Sequence, residues 1–281
     1  MQGCTLNCHW CSNPEGISRK PVLIYNVEKC RLDGNCVRDC TFNAIEIKDN
    51  RLVIHRELCK ECNDYSCLKN CYTKALRVSA KEMSIPELMK IVQRDRQFWG
   101  NGGGITLSGG EPLLQIDFAE GFLKRCYDAY IHTAIETCGN LPWKHYERVL
   151  PYLDWIFIDL KNPDTRWHKE GTEAGNELII SNIARLSKEF KGRLIVRIPV
   201  IPGFNDGDDI LKRYVAFFRE NNISEVNLLL LHHLGREKYR MVGREYPMDI
   251  KNIPLKAEMA KISDVFIESG ISCYTGSYTP F

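Results

Sequence analysis

Ile105-Thr-Leu-Ser108-Gly109-Gly110-Glu111-Pro112-Leu-Leu-Gln115 sets an apolar, β-branched run against a paired-glycine turn, with a proline opening the segment beyond the turn. The next stretch, Phe118 to Tyr130, has the length and apolar spacing of an amphipathic helix. Strand, glycine turn and helix in that order are half of a βαβ unit. Working outward, further short apolar runs are Thr133-Ala-Ile, Trp155-Ile-Phe-Ile, Leu194-Ile-Val-Arg-Ile, Val226-Asn-Leu-Leu-Leu-Leu and, more weakly, Ile271-Ser-Cys-Tyr. Helix-length segments alternate with them: Glu177 to Phe190, Ile210 to Asn221 and Leu255 to Ser269. Upstream, Ser84-Ile-Pro-Glu87 has capping-box spacing and opens a helical pattern that runs to Trp99. Such alternation predicts an α/β fold with a parallel sheet, whose chemistry gathers at the carboxyl ends of its strands.

The chain has 281 residues, 44% hydrophobic and 26% charged, a balance that excludes disorder and fibrous repeats. With 38 Lys plus Arg against 36 Asp plus Glu, the net charge of +2 offers no field for nucleic acid or a membrane surface. No export signal and no apolar run near the ~20 residues of a membrane span is present, so a cytoplasmic protein is expected. Thirteen cysteines are unevenly spread, ten of them at or before Cys71. In a reducing compartment such a cluster predicts metal ligation rather than disulfides.

Cys4-x3-Cys8-x2-Cys11 supplies three thiolates, one short of a closed tetrahedral set. A [4Fe–4S] cluster held this way keeps one iron open, as a catalytic cluster needs. Half of a zinc site, with His9 as a further ligand, is the alternative. Between Val22 and Ala80 cysteines alternate with the short segments Ala44-Ile-Glu-Ile-Lys and Arg51-Leu-Val-Ile-His, then end in Ala75-Leu-Arg-Val. This pseudo-repeat is too small for a proper core, so bound metal is expected to stabilise it. Cys59-x2-Cys62-x4-Cys67-x3-Cys71 is a near-ferredoxin run, and Cys30-x5-Cys36-x3-Cys40 is its degenerate partner. In two-cluster ferredoxins the fourth cysteine of each run ligates the other cluster. One set is then Cys40, Cys59, Cys62 and Cys67. The other is Cys30, Cys36, Cys71 and, where a cysteine is missing, Asp33, which leaves that cluster incomplete or aspartate-ligated. A pair of zinc knuckles is the rival for this region. The expected units are 1–21, the first cysteine loop; 22–80, a small ferredoxin-like α+β insert; and 81–281, the body.

Gly3-Cys4-Thr-Leu-Asn-Cys8-His-Trp10-Cys11-Ser-Asn13-Pro14-Glu15 resembles the signature loop of radical S-adenosylmethionine (SAM) enzymes, in the form found in activating enzymes of glycyl radical enzymes. Gly102 to Gln115 resembles the glycine-rich segment of those activases. Glu136-Thr-Cys-Gly139, Asp159-Leu160-Lys161, Thr172 to Asn182, Arg197-Ile-Pro-Val-Ile-Pro-Gly203 and Leu231-His232-His-Leu-Gly235 are similar to their later motifs, in the same order. The resemblance implies a partial (β/α)6 radical SAM barrel. It implies that Cys4, Cys8 and Cys11 hold a catalytic [4Fe–4S] cluster, that reduced cluster cleaves SAM to a 5′-deoxyadenosyl radical, and that the radical takes a hydrogen from the glycyl domain of a partner enzyme. By the same resemblance Trp10, Cys11, Ser12, Gly109, Gly110, Glu111, Glu136, Asp159, Leu160, Lys161, Arg197 and His232 contact SAM, a structural ion pair being the alternative for Asp159 with Lys161 and a structural anchor the alternative for Arg197. Glu111 is expected to pair with its ammonium, Glu136 to reach the ribose hydroxyls and His232 to lie near the adenosine. Two auxiliary clusters in the insert would either relay electrons from reduced flavodoxin or ferredoxin toward the SAM cluster or stabilise the docked partner, and the sequence does not choose between these roles. Cys126, Cys138 and Cys273 read as small buried hydrophobes, Cys138 near the pocket.

Activases of this type have some tens of residues before the signature loop, including the first strand. Here the loop follows Met1-Gln2-Gly3, so the sheet is expected to lack its opening strand and the loop to hang from a free end. Weak or no activity is expected of this chain, the function belonging to a version extended upstream. Two rivals remain. One is a radical SAM peptide-modifying enzyme with auxiliary clusters. The other is a non-enzymatic iron–sulfur electron carrier or zinc-stabilised module, which leaves Ser108 to Pro112 unexplained.

Overall fold

The computed structural model describes every residue except 101, 250, 252 and 277–281. The 22–80 segment contributes β1 (Leu23–Tyr25), α1 (Asn35–Asp39), β2 (Ile45–Lys48), β3 (Arg51–Ile54) and β4 (Leu76–Val78). The body follows as α2 (Ile85–Asp95), β5 (Gly104–Leu107), α3 (Ile116–Asp128), β6 (His132–Thr137), α4 (Trp143–Val149) and β7 (Trp155–Asp159). It continues through α5 (Thr165–Thr172), α6 (Glu177–Glu189), β8 (Arg193–Val200), α7 (Asp208–Glu220), β9 (Glu225–Leu230), α8 (Arg236–Met241), α9 (Lys256–Glu268) and β10 (Ser272–Thr275).

β5 to β10 form a six-stranded sheet in sequential order, every described pairing parallel. Sequential order follows from local crossovers, each helix returning the chain to the next strand. The strands bury one face against the helices. Ile156 and Ile158 of β7 and Val226 and Leu228 of β9 point into the helix layer and are fully buried. The helices answer at helical spacing, α3 with Ala119, Phe122, Leu123 and Cys126 and α7 with Leu211, Tyr214 and Phe218. The other face is concave. His132, Ala134 and Glu136 of β6, Trp155 and Phe157 of β7, Arg197 of β8 and Asn227 and Leu229 of β9 alternate around one hollow of about 390 Å³. Alternate residues of neighbouring strands around one hollow make the sheet a partial barrel. The expectation of a sheet without its opening strand meets six strands that all follow the 22–80 segment, with β5 at one edge and β10 at the other.

The 22–80 segment has its own small core of Leu23, Cys36, Ile45, Leu52, Cys67 and Leu76. β2 and β3 make an antiparallel hairpin whose turn, Asp49-Asn50, has φ of 48° and 56°. Two positive φ values suit a two-residue hairpin turn, and Asn and Asp adopt them at least cost. β1, unmarked in the sequence, pairs antiparallel with β4. Arg56 keys this unit to the body, donating to Leu23 O at 2.5 Å and Met241 O at 2.8 Å. Its side chain passes over Gly243, where a Cβ would stand 2.3 Å from Arg56 Nε. No helix among the described residues is long and apolar enough to cross a membrane.

Candidate active site

The first cysteine loop has little regular structure and is held from several sides by its backbone. Gly3 N and Cys4 N donate to Gly16 O and Ile17 O, while Asn7 N and His9 N donate to Thr172 O and Gly171 O at the end of α5. From the glycine turn after β5, Gly110 N donates to Met1 O and Glu111 N to Gly3 O. The approach is close enough that a Cβ on Gly110 would sit 2.1 Å from Gly3 O. Trp10 is buried and packs on Phe204, ring centroids 4.8 Å apart, beside Ile201 and Leu231. The expectation of a loop hanging from a free end is therefore corrected.

This loop closes one wall of a cavity of about 280 Å³ at the carboxyl ends of β5 to β9. Cys4, Cys8 and Cys11 line it together with Trp10, Ser12, Gly109, Gly110, Glu136, Asp159, Lys161 and Arg197. An ionic chain crosses four strands along its floor. Ser108 Oγ donates to Glu136 Oε2 at 2.7 Å; Glu136 Oε1 meets Arg197 Nη1 at 2.8 Å. Arg197 Nε donates to Asp159 Oδ1 at 2.9 Å, and Lys161 Nζ to Asp159 Oδ2 at 2.8 Å. Charges so poorly hydrated persist only when paired. Burial alone would raise Asp159, yet Arg197 and Lys161 hold its carboxyl below the usual range. Burial would likewise lower Lys161, yet Asp159 and Cys8 hold it above the ordinary lysine value.

The thiols differ among themselves. A hydrogen bond with Cys138 brings Cys4 down to about 7, whereas burial pushes Cys8 up to about 12. Cys4, Cys8 and Cys11 on one cavity wall, with the Lys161 ammonium acting on Cys8, suit a metal group that takes thiolate ligands. Among the described residues no three side chains of His, Cys, Asp or Glu close on a single-ion position. Cysteine thiolates are the donors that an iron–sulfur cluster takes.

Three expected contacts do not face this cavity. Glu111 is fully buried and its carboxylate is committed: Oε2 accepts from Thr137 Oγ1 and Cys138 N, both at 2.8 Å, and Oε1 from Leu113 N at 3.1 Å. It fixes the glycine turn from behind rather than reaching a ligand. Leu160 points into the apolar core. His232 is exposed, because Leu231 takes the buried place beside Trp10 and turns the next residue outward. Ser108, Thr137, Pro199 and Leu229 line the cavity without having been expected. Ser108 and Thr137 carried a signal, hydroxyls at the carboxyl ends of β5 and β6. Behind the cavity, buried asparagines tie the strand-end loops together. Asn205 Nδ2 donates to Lys161 O and Pro199 O, and Asn182 Nδ2 to Gly139 O and Leu141 O.

In the 22–80 segment Cys40, Cys59, Cys62 and Cys67 line one small enclosed pocket with Leu23, Phe42, Ala44, Ile45, Tyr65 and Ser66. Cys30, Cys71 and Asp33 are electrostatic neighbours of Cys36. Asp33 is exposed, its Oδ1 accepting from Asn35 N at 3.1 Å.

The chain matches the Radical SAM superfamily over residues 34–214. The 4-hydroxyphenylacetate decarboxylase activating enzyme of Clostridioides difficile (strain 630) is 37% identical over 286 residues, covering 100% of this chain and 90% of that protein. The isethionate sulfite-lyase activating enzyme of Oleidesulfovibrio alaskensis is 39% identical over 254 residues, covering 88% and 82%. Among solved structures, a domain of pyruvate-formate lyase-activating enzyme from Bacteroides vulgatus superposes with a TM-score of 0.53 at 28% identity, over 63% of this chain and 100% of that one. Likeness along the whole chain, rather than at the cysteine loop alone, settles the matter: the protein belongs to the radical SAM superfamily and, within it, to the activating enzymes of glycyl radical enzymes.

Proposed function

We propose that Cys4, Cys8 and Cys11 hold the catalytic cluster of this activase and that the cavity they share with Gly109, Gly110 and the Glu136–Arg197–Asp159–Lys161 chain holds SAM. Membership in the superfamily implies SAM and one [4Fe–4S] cluster. When bound, that pair supplies one-electron cleavage of SAM to methionine and a 5′-deoxyadenosyl radical, which takes a hydrogen atom from a backbone glycine of the partner. The observation that carries this reading is that Cys4, Cys8 and Cys11 line one cavity together with Gly109, Gly110 and the ionic chain.

The chain's own residues bind, orient and shield. Gly109 and Gly110 present bare backbone to the methionine portion, where a side chain would block approach. Lys161 offsets the negative charge of the thiolates, and Asp159 fixes that ammonium in place. Arg197 holds Glu136 and Asp159 apart at fixed distances, leaving Glu136 and Ser108 to meet the ribose hydroxyls. Trp10, packed on Phe204, keeps water from the cluster side, and Ser12 borders the opening. The partner is a glycyl radical enzyme, engaged at its glycyl domain.

In the same reading the chain is organised as 1–21, 22–80 and 81–281, and the middle unit is a two-cluster relay. Cys40, Cys59, Cys62 and Cys67 make one site; Cys30, Cys36 and Cys71, with Asp33 beside them, make the other. A carboxylate is a harder and weaker iron ligand than thiolate, so the second site is the more labile. Reduced flavodoxin or ferredoxin supplies the electrons, in the cytoplasm.

Anaerobic reconstitution tests the assignment. The wild type should take up iron and sulfide and give a reduced-cluster electron paramagnetic resonance signal that SAM alters. Cys4→Ala/Cys8→Ala/Cys11→Ala should lose the SAM-sensitive signal and keep the iron of the insert. Zinc without sulfide, or a SAM-sensitive signal that survives the triple substitution, would contradict it.

A further inference from the structure

The two thiol sets of the 22–80 segment face different surroundings. The set containing Cys59 and Cys62 lies at the end keyed to the body. Arg56, three residues before Cys59, reaches Met241 O, and Tyr65 donates to Pro21 O at 2.7 Å. Lys20 pairs with Glu61 at 3.7 Å across the same seam. The exposed charges here are mostly acidic, Glu57, Glu61 and Asp64 against Lys60.

The set of Cys30, Cys36 and Cys71 has a different rim. Lys29 and Arg31 flank Cys30, and Lys69 and Lys74 bracket Cys71; all four are exposed. Arg38 pairs with Asp39 at 3.7 Å, and Glu28 and Asp33 are the exposed acids interspersed, so the four remaining cations leave the rim net basic. Tyr72, directly after Cys71, is 80% exposed, and Val27, three residues before Cys30, is 50% exposed. An outward aromatic and an apolar side chain within a basic rim have the composition of a protein-binding surface.

We propose that this end of the 22–80 segment docks an acidic one-electron carrier protein. The proposal rests on the reading of the segment as a relay. A basic rim draws an acidic partner at an ionic-strength-dependent rate, and Tyr72 seats it over the Cys30, Cys36 and Cys71 thiols. The reduced carrier gives up one electron, the iron–sulfur group held by these thiols accepts it, and no bond forms or breaks. The inner thiol set, keyed to the body by Arg56, takes the electron onward.

The test uses an acidic flavodoxin with the reconstituted full chain. Binding of oxidised flavodoxin is measured by calorimetry at about 20 and about 200 mM salt, across the range in which screening shortens to about 10 Å and below. Stopped-flow absorbance follows reduction by reduced flavodoxin and, separately, by dithionite. Lys29→Glu/Arg31→Glu/Lys69→Glu/Lys74→Glu should bind at least tenfold more weakly at low salt, lose the salt dependence, and be reduced by dithionite at the wild-type rate. Lys124→Glu/Lys188→Glu, on exposed positions of α3 and α6, should match the wild type. Tyr72→Ala, which leaves the charges alone, should weaken binding at least threefold. Wild-type binding by both the charge-reversed chain and Tyr72→Ala would overturn the proposal, as would an effect of reversal confined to the glycyl radical partner. Cys30→Ala/Cys36→Ala/Cys71→Ala separates the two ideas: retained binding with slowed flavodoxin reduction supports both. Undiminished reduction, with binding still sensitive to the rim charges, would end the relay reading while the docking surface stands.

Discussion

At the scale of single residues, Arg197 organises the site because it serves two carboxylates from a nearly buried position, Glu136 on one side and Asp159 on the other. Removing one partner of such a group leaves charges unpaired in a poorly solvated place. Arg197→Met should therefore lose about 3–5 kcal/mol of stability, read by urea unfolding. Asp159 has a folded pKa below its ordinary value, so its contribution is complete above about pH 4 and fades as pH falls through the folded value. Lys161 has a raised folded pKa, so its share is complete below about pH 10 and fades as pH rises through that value. In urea unfolding across pH, the deficit of Asp159→Asn should stay constant between about pH 5 and 9 and shrink below about pH 4. A deficit unchanged at low pH would show that the carboxylate is not held by its cations. Residue chemistry was legible in the sequence at Asp159, the last residue of β7, and at Lys161 just beyond it, whereas Arg197 lies inside β8 rather than at its end. That chemistry was not legible at Glu111 or His232, since sequence position does not say which way a carboxylate turns in a tight loop or which of two neighbours takes the buried place.

At the scale of elements, the glycine turn between β5 and α3 is a spacer of zero width. Gly109 has φ of 137°, and Gly110 lies so near Gly3 O and Gly16 O that no side chain fits. Gly110→Ala should push the cysteine loop from the sheet, lowering reconstituted iron in the catalytic site and speeding hydrogen exchange at the loop amides by about tenfold, a cost of about 1.4 kcal/mol. Iron content and exchange at wild-type levels would contradict the close packing. The long helices and the body strands were readable because their apolar spacing repeats over enough residues to stand out. α4, α5 and α8 were not, being eight residues or fewer and too short to repeat a periodic face; of the three only α5 has a side-chain cap, Asp164. β1 was missed for another reason: its partner is β4, with Leu23 opposite Val78, and no local pattern marks a three-residue strand whose pairing is distant.

At the scale of the whole molecule, a cysteine-rich unit is held to an α/β body at a seam. Gly243, with φ of 70°, leaves room for Arg56 to reach Met241 O. Gly243→Ala should loosen that seam without touching either thiol set. Amides of residues 22–80 should exchange at least tenfold faster while those of β6 to β9 hold, since local opening need not spread to the core. Uniform change across both units would show that they unfold as one. That the 22–80 segment packs a small core of its own, with Cys36 and Cys67 in it, was legible in its run of cysteines between short apolar segments. How that segment sits on the body was not, because that seam rests on backbone carbonyls, which carry no residue signature.

The central claim is that the three thiols of one cavity make this chain a SAM-cleaving activase. Its most direct test is 5′-deoxyadenosine formation from SAM by anaerobically reconstituted, chemically reduced protein. The account predicts 5′-deoxyadenosine from the wild type, none from Cys8→Ala, and at least tenfold less from Arg197→Met. No product from wild-type protein carrying its full iron and sulfide, or undiminished product from Cys8→Ala, would contradict it.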